Sequence, residues 1–179
     1  MELLAKTHIP FARDLVFRTL RDNLPLLVPH MPNVRVIEVK KRADEGTRAD
    51  LLNEWTAATE IPAVARKFVA AEQLKWLDYA TWDEGDFTCD WHIETHAMPG
   101  VVECRGHNVY HAAGAETELE IKGELVLHLE KTKVPRLLAG TVRPIIERIV
   151  ITALKPNLLA VGDGVSGYLR AKQSGSAST

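Results

Sequence analysis

The feature that most constrains this chain is a change of period. Six segments between residues 33 and 130 alternate apolar and polar side chains, and beyond Val134-Pro135 the period returns to 3.6. In the last segment Leu119, Ile121, Leu125 and Leu127 alternate with Glu118, Glu120, Lys122 and Glu124. A sheet of such strands has one apolar face to bury. Only one long helical element can bury it: the stripe of Leu138, Val142, Ile145, Ile149, Val161, Val165, Tyr168 and Leu169, with kinks expected at Pro144 and Pro156.

Strands read at 33–42, 47–58, 74–82, 87–97, 101–112 and 117–130, separated by turn signals such as Asp44-Glu45-Gly46 and Asp83-Glu84-Gly85-Asp86. A strand over 2–9 precedes them. Pro10 opens a helix running to Asn23 on the spacing of Phe11, Leu15, Val16 and Leu20, and a short helical stretch follows over 24–31. Residues 60–72 interrupt the pattern as a short helix or cover loop. The expectation is one α+β domain over 1–172 with a small polar tail over 173–179.

Register gives this sheet a shape. A two-residue turn within Asp83–Asp86 would pair Trp82 with Phe87, setting Trp76 against Ile93, Asp78 against Trp91 and Ala80 against Cys89. Lys75–Glu94 and Thr81–Thr88 would then pair on the other face. The next hairpins set Trp91 against Gly106, Ile93 against Cys104 and Gly106 against Gly123, with Arg105 and Glu124 outside. Two facing glycines leave room for Trp91 and permit strong bending. The expected result is a curved antiparallel sheet around a hollow that the C-terminal helix closes.

Composition narrows the function classes. A formal net charge of -2 leaves no basic footprint for nucleic acid, and Lys40-Lys41-Arg42 reads as a solvated strand end. No window holds the roughly 18 uncharged apolar residues of a membrane span, so stable membrane insertion is not expected. Two cysteines, with no signal-peptide pattern after Met1, point to a reducing cytoplasm.

The segments Phe11-Ala12-Arg13-Asp14-Leu15-Val16-Phe17, Leu20-Arg21-Asp22 and Met31-Pro32-Asn33-Val34, with Glu38-Val39 in the following strand, resemble the START-like (SRPBCC) superfamily of helix-grip proteins. That superfamily includes polyketide cyclase/dehydrase-like and coenzyme-Q-binding members. The resemblance covers nearly the whole chain in order of elements and implies a strand, two short helices, six strands and a long C-terminal helix. It also implies binding of lipids, polyketides or other apolar molecules, with catalysis in some branches. None of its motifs here is a catalytic signature.

Alternation places Asn53, Trp55, Trp76, Asp78, Trp91, Asn108 and Tyr110 on the inward face, with Phe87 at the end of its strand. Asp78 among tryptophans would have a raised pKa and act as a general acid or base, or orient a polar ligand end. A bulge turning it outward is the alternative. Asn53, Asn108 and Tyr110 would join it as the polar pole of an apolar pocket, or satisfy one another in a solid core.

Other constellations carry less. His92, Glu94 and His96 share a strand face but spread over about 13 Å, too far for one zinc ion. Cys89 and Cys104 point inward, away from the histidines. Gly162-Asp163-Gly164-Val165-Ser166-Gly167 lacks the lysine of a phosphate-binding loop, and close helix packing or a flexible lid explains it. No cofactor is expected.

Three functions remain. The leading one is a non-enzymatic carrier or sensor of a hydrophobic small molecule, lined by the eight residues above. A polyketide cyclase/dehydratase-like enzyme would use Asp78 as acid/base and Tyr110 as donor. A protein-interaction module would have a filled core and dock through the glycine-containing helix or residues 60–72.

Overall fold

The computed structural model describes residues 1–58, 75–96, 99–131, 140–141, 143–144 and 160–175. Strand β1 (Glu2–Ile9) leads into helix α1 (Arg13–Asp22) and a 3-10 segment, Leu24–His30. Strands β2 (Val34–Glu45), β3 (Arg48–Ala57), β4 (Lys75–Asp83), β5 (Thr88–Thr95), β6 (Val102–Ala113) and β7 (Glu116–Leu127) follow. All seven form one antiparallel curved sheet in the order β1-β7-β6-β5-β4-β3-β2. Helix α2 spans the described residues 160–175. Among the described residues no helix is long and apolar enough to cross a membrane. The interruption at 60–72 and most of the helical stripe before 160 lie outside the described residues.

Helix α1 begins at Arg13 rather than at the expected Pro10. The chain turns first, with Phe11 N–H donating to Ile9 O at 2.8 Å, and Ala12 is extended at ψ 140°. Thr117 Oγ1 donates to Phe11 O at 2.7 Å and ties this turn to β7. Val16, Phe17 and Leu20 are buried against the sheet, whereas Leu15, expected in the same stripe, is exposed.

The β4–β5 turn corrects the expected register. Asp83 pairs with Thr88, so Glu84-Gly85-Asp86-Phe87 forms a four-residue loop in place of a two-residue turn. Phe87 takes a φ of 55°, rare for a bulky residue. Tertiary contacts hold it there: its ring stands edge-on to Phe17 at 5.3 Å, and the Arg13 guanidinium lies 3.6 Å over it. Glu84 of the same loop accepts hydrogen bonds from Arg18 and Arg21 of α1.

The slip is two residues, so every side chain keeps its face. Asp78 opposes Ile93, Ala80 opposes Trp91 and Trp82 opposes Cys89, while Trp76 meets Thr95 at the strand end. The outer pairs become Leu77–Glu94 and Thr81–Asp90. Lys75 instead bonds Glu54 at 3.2 Å.

The next two hairpins have the expected register. Trp91 opposes Gly106, and Gly106 opposes Gly123. A Cβ on Gly106 would lie 2.7 Å from Trp91 Cε2 and 2.5 Å from Lys122 O, so only glycine admits the indole. The glycines of α2 do similar work. A Cβ at Gly162 would meet Thr7 at 2.8 Å, at Gly164 Met31 at 2.7 Å and at Gly167 His30 at 2.9 Å. These glycines let α2 pack closely on β1 and the 3-10 segment, where Val165 and Leu169 are buried.

Candidate functional site

The inner face is organised in cross-strand rows. Asn53 of β3, Asp78 of β4, Ile93 of β5 and Cys104 of β6 form one. Leu51, Ala80, Trp91, Gly106 and Gly123 form the next, followed by Ala49, Trp82, Cys89, Asn108 and Ile121. Strand alternation alone puts these side chains on one side.

Asp78 Oδ2 accepts two hydrogen bonds, from Asn53 Nδ2 at 3.2 Å and from Trp55 Nε1 at 3.3 Å. The Trp55 ring is itself held by stacking on Trp76, its cross-strand partner, at 5.7 Å and 18°. Asp78 is half-buried. Burial raises its carboxyl to about 6, against the pull of the two hydrogen bonds and of His92.

Asn53 is 1% exposed, yet its Oδ1 has no hydrogen-bond partner among the described residues. A buried acceptor left so costs about 1–3 kcal/mol. Trp82 Nε1, also buried, is a second polar atom without a partner among them. Trp82 is not among the expected lining residues, and nothing in the sequence marks its N–H as unsatisfied.

Asn108 and Tyr110 belong to a different group. Trp91 Nε1 donates to Asn108 Oδ1 at 2.8 Å, and Asn108 also draws the pKa of the Tyr110 hydroxyl down against the effect of its burial. Tyr110 is buried edge-on against Phe17 at 5.2 Å. Burial pushes its hydroxyl, and the thiol of Cys89, well above their ordinary values. Asn108 lies two rows from Asp78. The expected single pole is thus two polar groups, one around Asp78 and one around Asn108. Phe87 joins neither; it sits in the aromatic cluster of Phe17, Trp82 and Tyr110.

Six histidines occupy the outer face or strand ends, beside carboxylates, while His30 packs in the 3-10 segment against Gly167 of α2. His107 contacts Asp90 and His8 contacts Glu116, each at 2.7 Å, and His128 contacts Glu103 at 3.0 Å. His92, His96 and His111 stand 3.5–3.8 Å from Glu94, Glu54 and Glu120. Among the described residues no group of His, Cys, Asp and Glu is arranged to hold a metal ion. An open groove of about 560 Å³ crosses this outer face between Tyr79, His92, Arg105, His107 and Lys122, floored by Gly106 and Gly123.

No protein-family model matches the sequence, and no curated protein matches it. Solved structures do. TTHA0849 from Thermus thermophilus superposes with a TM-score of 0.64 at 20% identity, over 96% of this chain and 99% of that one. The Zhui aromatase/cyclase from Streptomyces sp. R1128 gives 0.63 at 15% identity, over 96% and 97%. The fold is the START-like helix grip. Norcoclaurine synthase from Thalictrum flavum shares it, with a TM-score of 0.57 at 14% identity over 94% of this chain and 86% of that one. At these identities the likeness to the helix-grip proteins is one of fold, and it meets the resemblance read from residues 11–39.

Proposed function

We propose that this helix-grip protein binds a hydrophobic small molecule on the concave side of its sheet, as a carrier or sensor, with Asn53 and Asp78 meeting the polar end. One observation carries the reading: Asn53 Oδ1 is buried beside a half-buried carboxylate and is left without a partner among the described residues. A solid core selects against such an atom, whereas a ligand group satisfies it. Trp55, Trp76 and Trp91 supply apolar area nearby, offering about 25 cal/mol per Å² before the costs of binding. The free, buried thiols of Cys89 and Cys104 support a cytoplasmic setting. Native mass spectrometry of gently purified protein, with displacement of an apolar fluorescent dye, tests the proposal. The absence of both a copurified small molecule and dye binding would end it.

A second reading is enzymatic, of the cyclase or dehydratase kind. A carboxyl near 6 exchanges its proton readily at neutral pH, which favours Asp78 as general acid/base. Tyr110 is a weaker candidate, since it is buried edge-on against Phe17 rather than beside Asp78. Under this reading Asp78→Asn abolishes turnover of a polyketide-like substrate while leaving its binding intact. Equal turnover by the variant would refute it.

A further inference from the structure

Resting on that binding reading, we propose a rule for the ligand: its polar end is a hydrogen-bond donor, a hydroxyl or an ammonium group, and a carboxylate end is excluded. The oxygens left open at the Asn53–Asp78 pair are acceptors, and the Asn53 amide nitrogen already gives one N–H to the carboxylate. Asp78 Oδ2 already takes the N–H groups of Asn53 and Trp55, so the indole donor is consumed inside the protein. Among the described residues the second carboxylate oxygen receives no hydrogen bond, and Asn53 Oδ1 has no partner at all. Turning the Asn53 amide over would set its oxygen against the ionised carboxylate, acceptor on acceptor, so the amide orientation is held. No described lysine or arginine bonds Asp78; the one side chain beyond its hydrogen-bond partners that favours its ionised form is His92, on the outer face and stacked on Tyr79 at 4.3 Å. An incoming carboxylate would therefore meet a like charge and two lone-pair atoms in a half-buried place. A hydroxyl or ammonium group would bridge both acceptors.

Four probes of one skeleton test this at pH 8: naphthalene, naphthol, naphthylmethylammonium and naphthoate, titrated against tryptophan emission and by calorimetry. Naphthol and the ammonium probe are expected to bind about tenfold or more tighter than naphthoate. Asp78→Asn should narrow that gap by admitting naphthoate. Asn53→Leu, which keeps volume and removes the free acceptor, should weaken naphthol while leaving naphthalene unchanged. Naphthoate binding as well as naphthol, or a gap untouched in both variants, would overturn the rule alone. If naphthalene and all three derivatives fail to bind, the binding reading itself falls and takes the rule with it.

Discussion

The indole of Trp91 lies in the space that a side chain at Gly106 would fill, with Cε2 2.7 Å from where a Cβ would stand. Lys122 O closes the other side at 2.5 Å, so neither neighbour yields cheaply. Gly106→Ala should cost about 1–3 kcal/mol through overpacking. Urea denaturation reads this as a lowered midpoint. Gly175→Ala, with nothing within 4 Å of its added methyl, is the control and should change little.

Asp78 ties stability to pH, with a definite sign. Its folded value of about 6 exceeds the ordinary carboxyl value of 3.8, so the folded protein binds the proton more tightly than the unfolded chain. The benefit is complete below about pH 4 and is lost as pH rises through 6. The full shift corresponds to about 3 kcal/mol, less where water reaches the half-buried carboxyl. Asp78→Asn should therefore gain stability relative to the parent between about pH 4 and 7. Equal pH profiles for the two proteins would contradict the burial described.

Gly162 sets helix propensity against packing. Alanine should stabilise an isolated helix by about 1 kcal/mol over glycine. Here the methyl would meet Thr7 Cγ2 at 2.8 Å, so Gly162→Ala should destabilise despite the better helix former. Thermal unfolding of Gly162→Ala with and without Thr7→Ala decides it: the second change should recover part of the loss.

Stacked Trp55 and Trp76 should give coupled aromatic bands in circular dichroism. Trp76→Leu should remove the coupling and cost about 0.5–1.5 kcal/mol beyond lost burial. It should also release Trp55 Nε1 from its fixed direction toward Asp78.

Burial holds Cys89 as a thiol, and Cys104 is pushed up to about 12. Neither should react with iodoacetamide at pH 8 in the folded protein, and both should react in urea.

Much of this was legible in the chain, for a reason that Asp78 illustrates. Its facing partner, Ile93, lies two residues from the Trp91 that a two-residue turn predicts, yet an even slip leaves a side chain on the same face, so Asp78 points inward as expected. The Phe87 turn was not legible. A phenylalanine at positive φ has no local signal and depends on Phe17 and Arg13, distant in sequence. Asn53 and Asp78 can be placed inside but not beside each other, because residues 58–74 separate β3 from β4 in the sequence and no hairpin signal there fixes the register. The split of Asn108 from Asp78 follows the same logic: alternation reports a face, and only pairing reports a row. An unpartnered atom such as Asn53 Oδ1 belongs to three-dimensional accounting alone.

The six histidines set beside carboxylates, with His30 as the seventh of the chain, carry a colloidal consequence. With every imidazole neutral the formal charge is -2, and protonating all seven would bring it to +5. The charge therefore changes sign on mild acidification, the isoelectric point of the sequence lying at about 6.4. Mild acidification should bring the protein through a solubility minimum and out again as a polycation, with the fold itself unaltered.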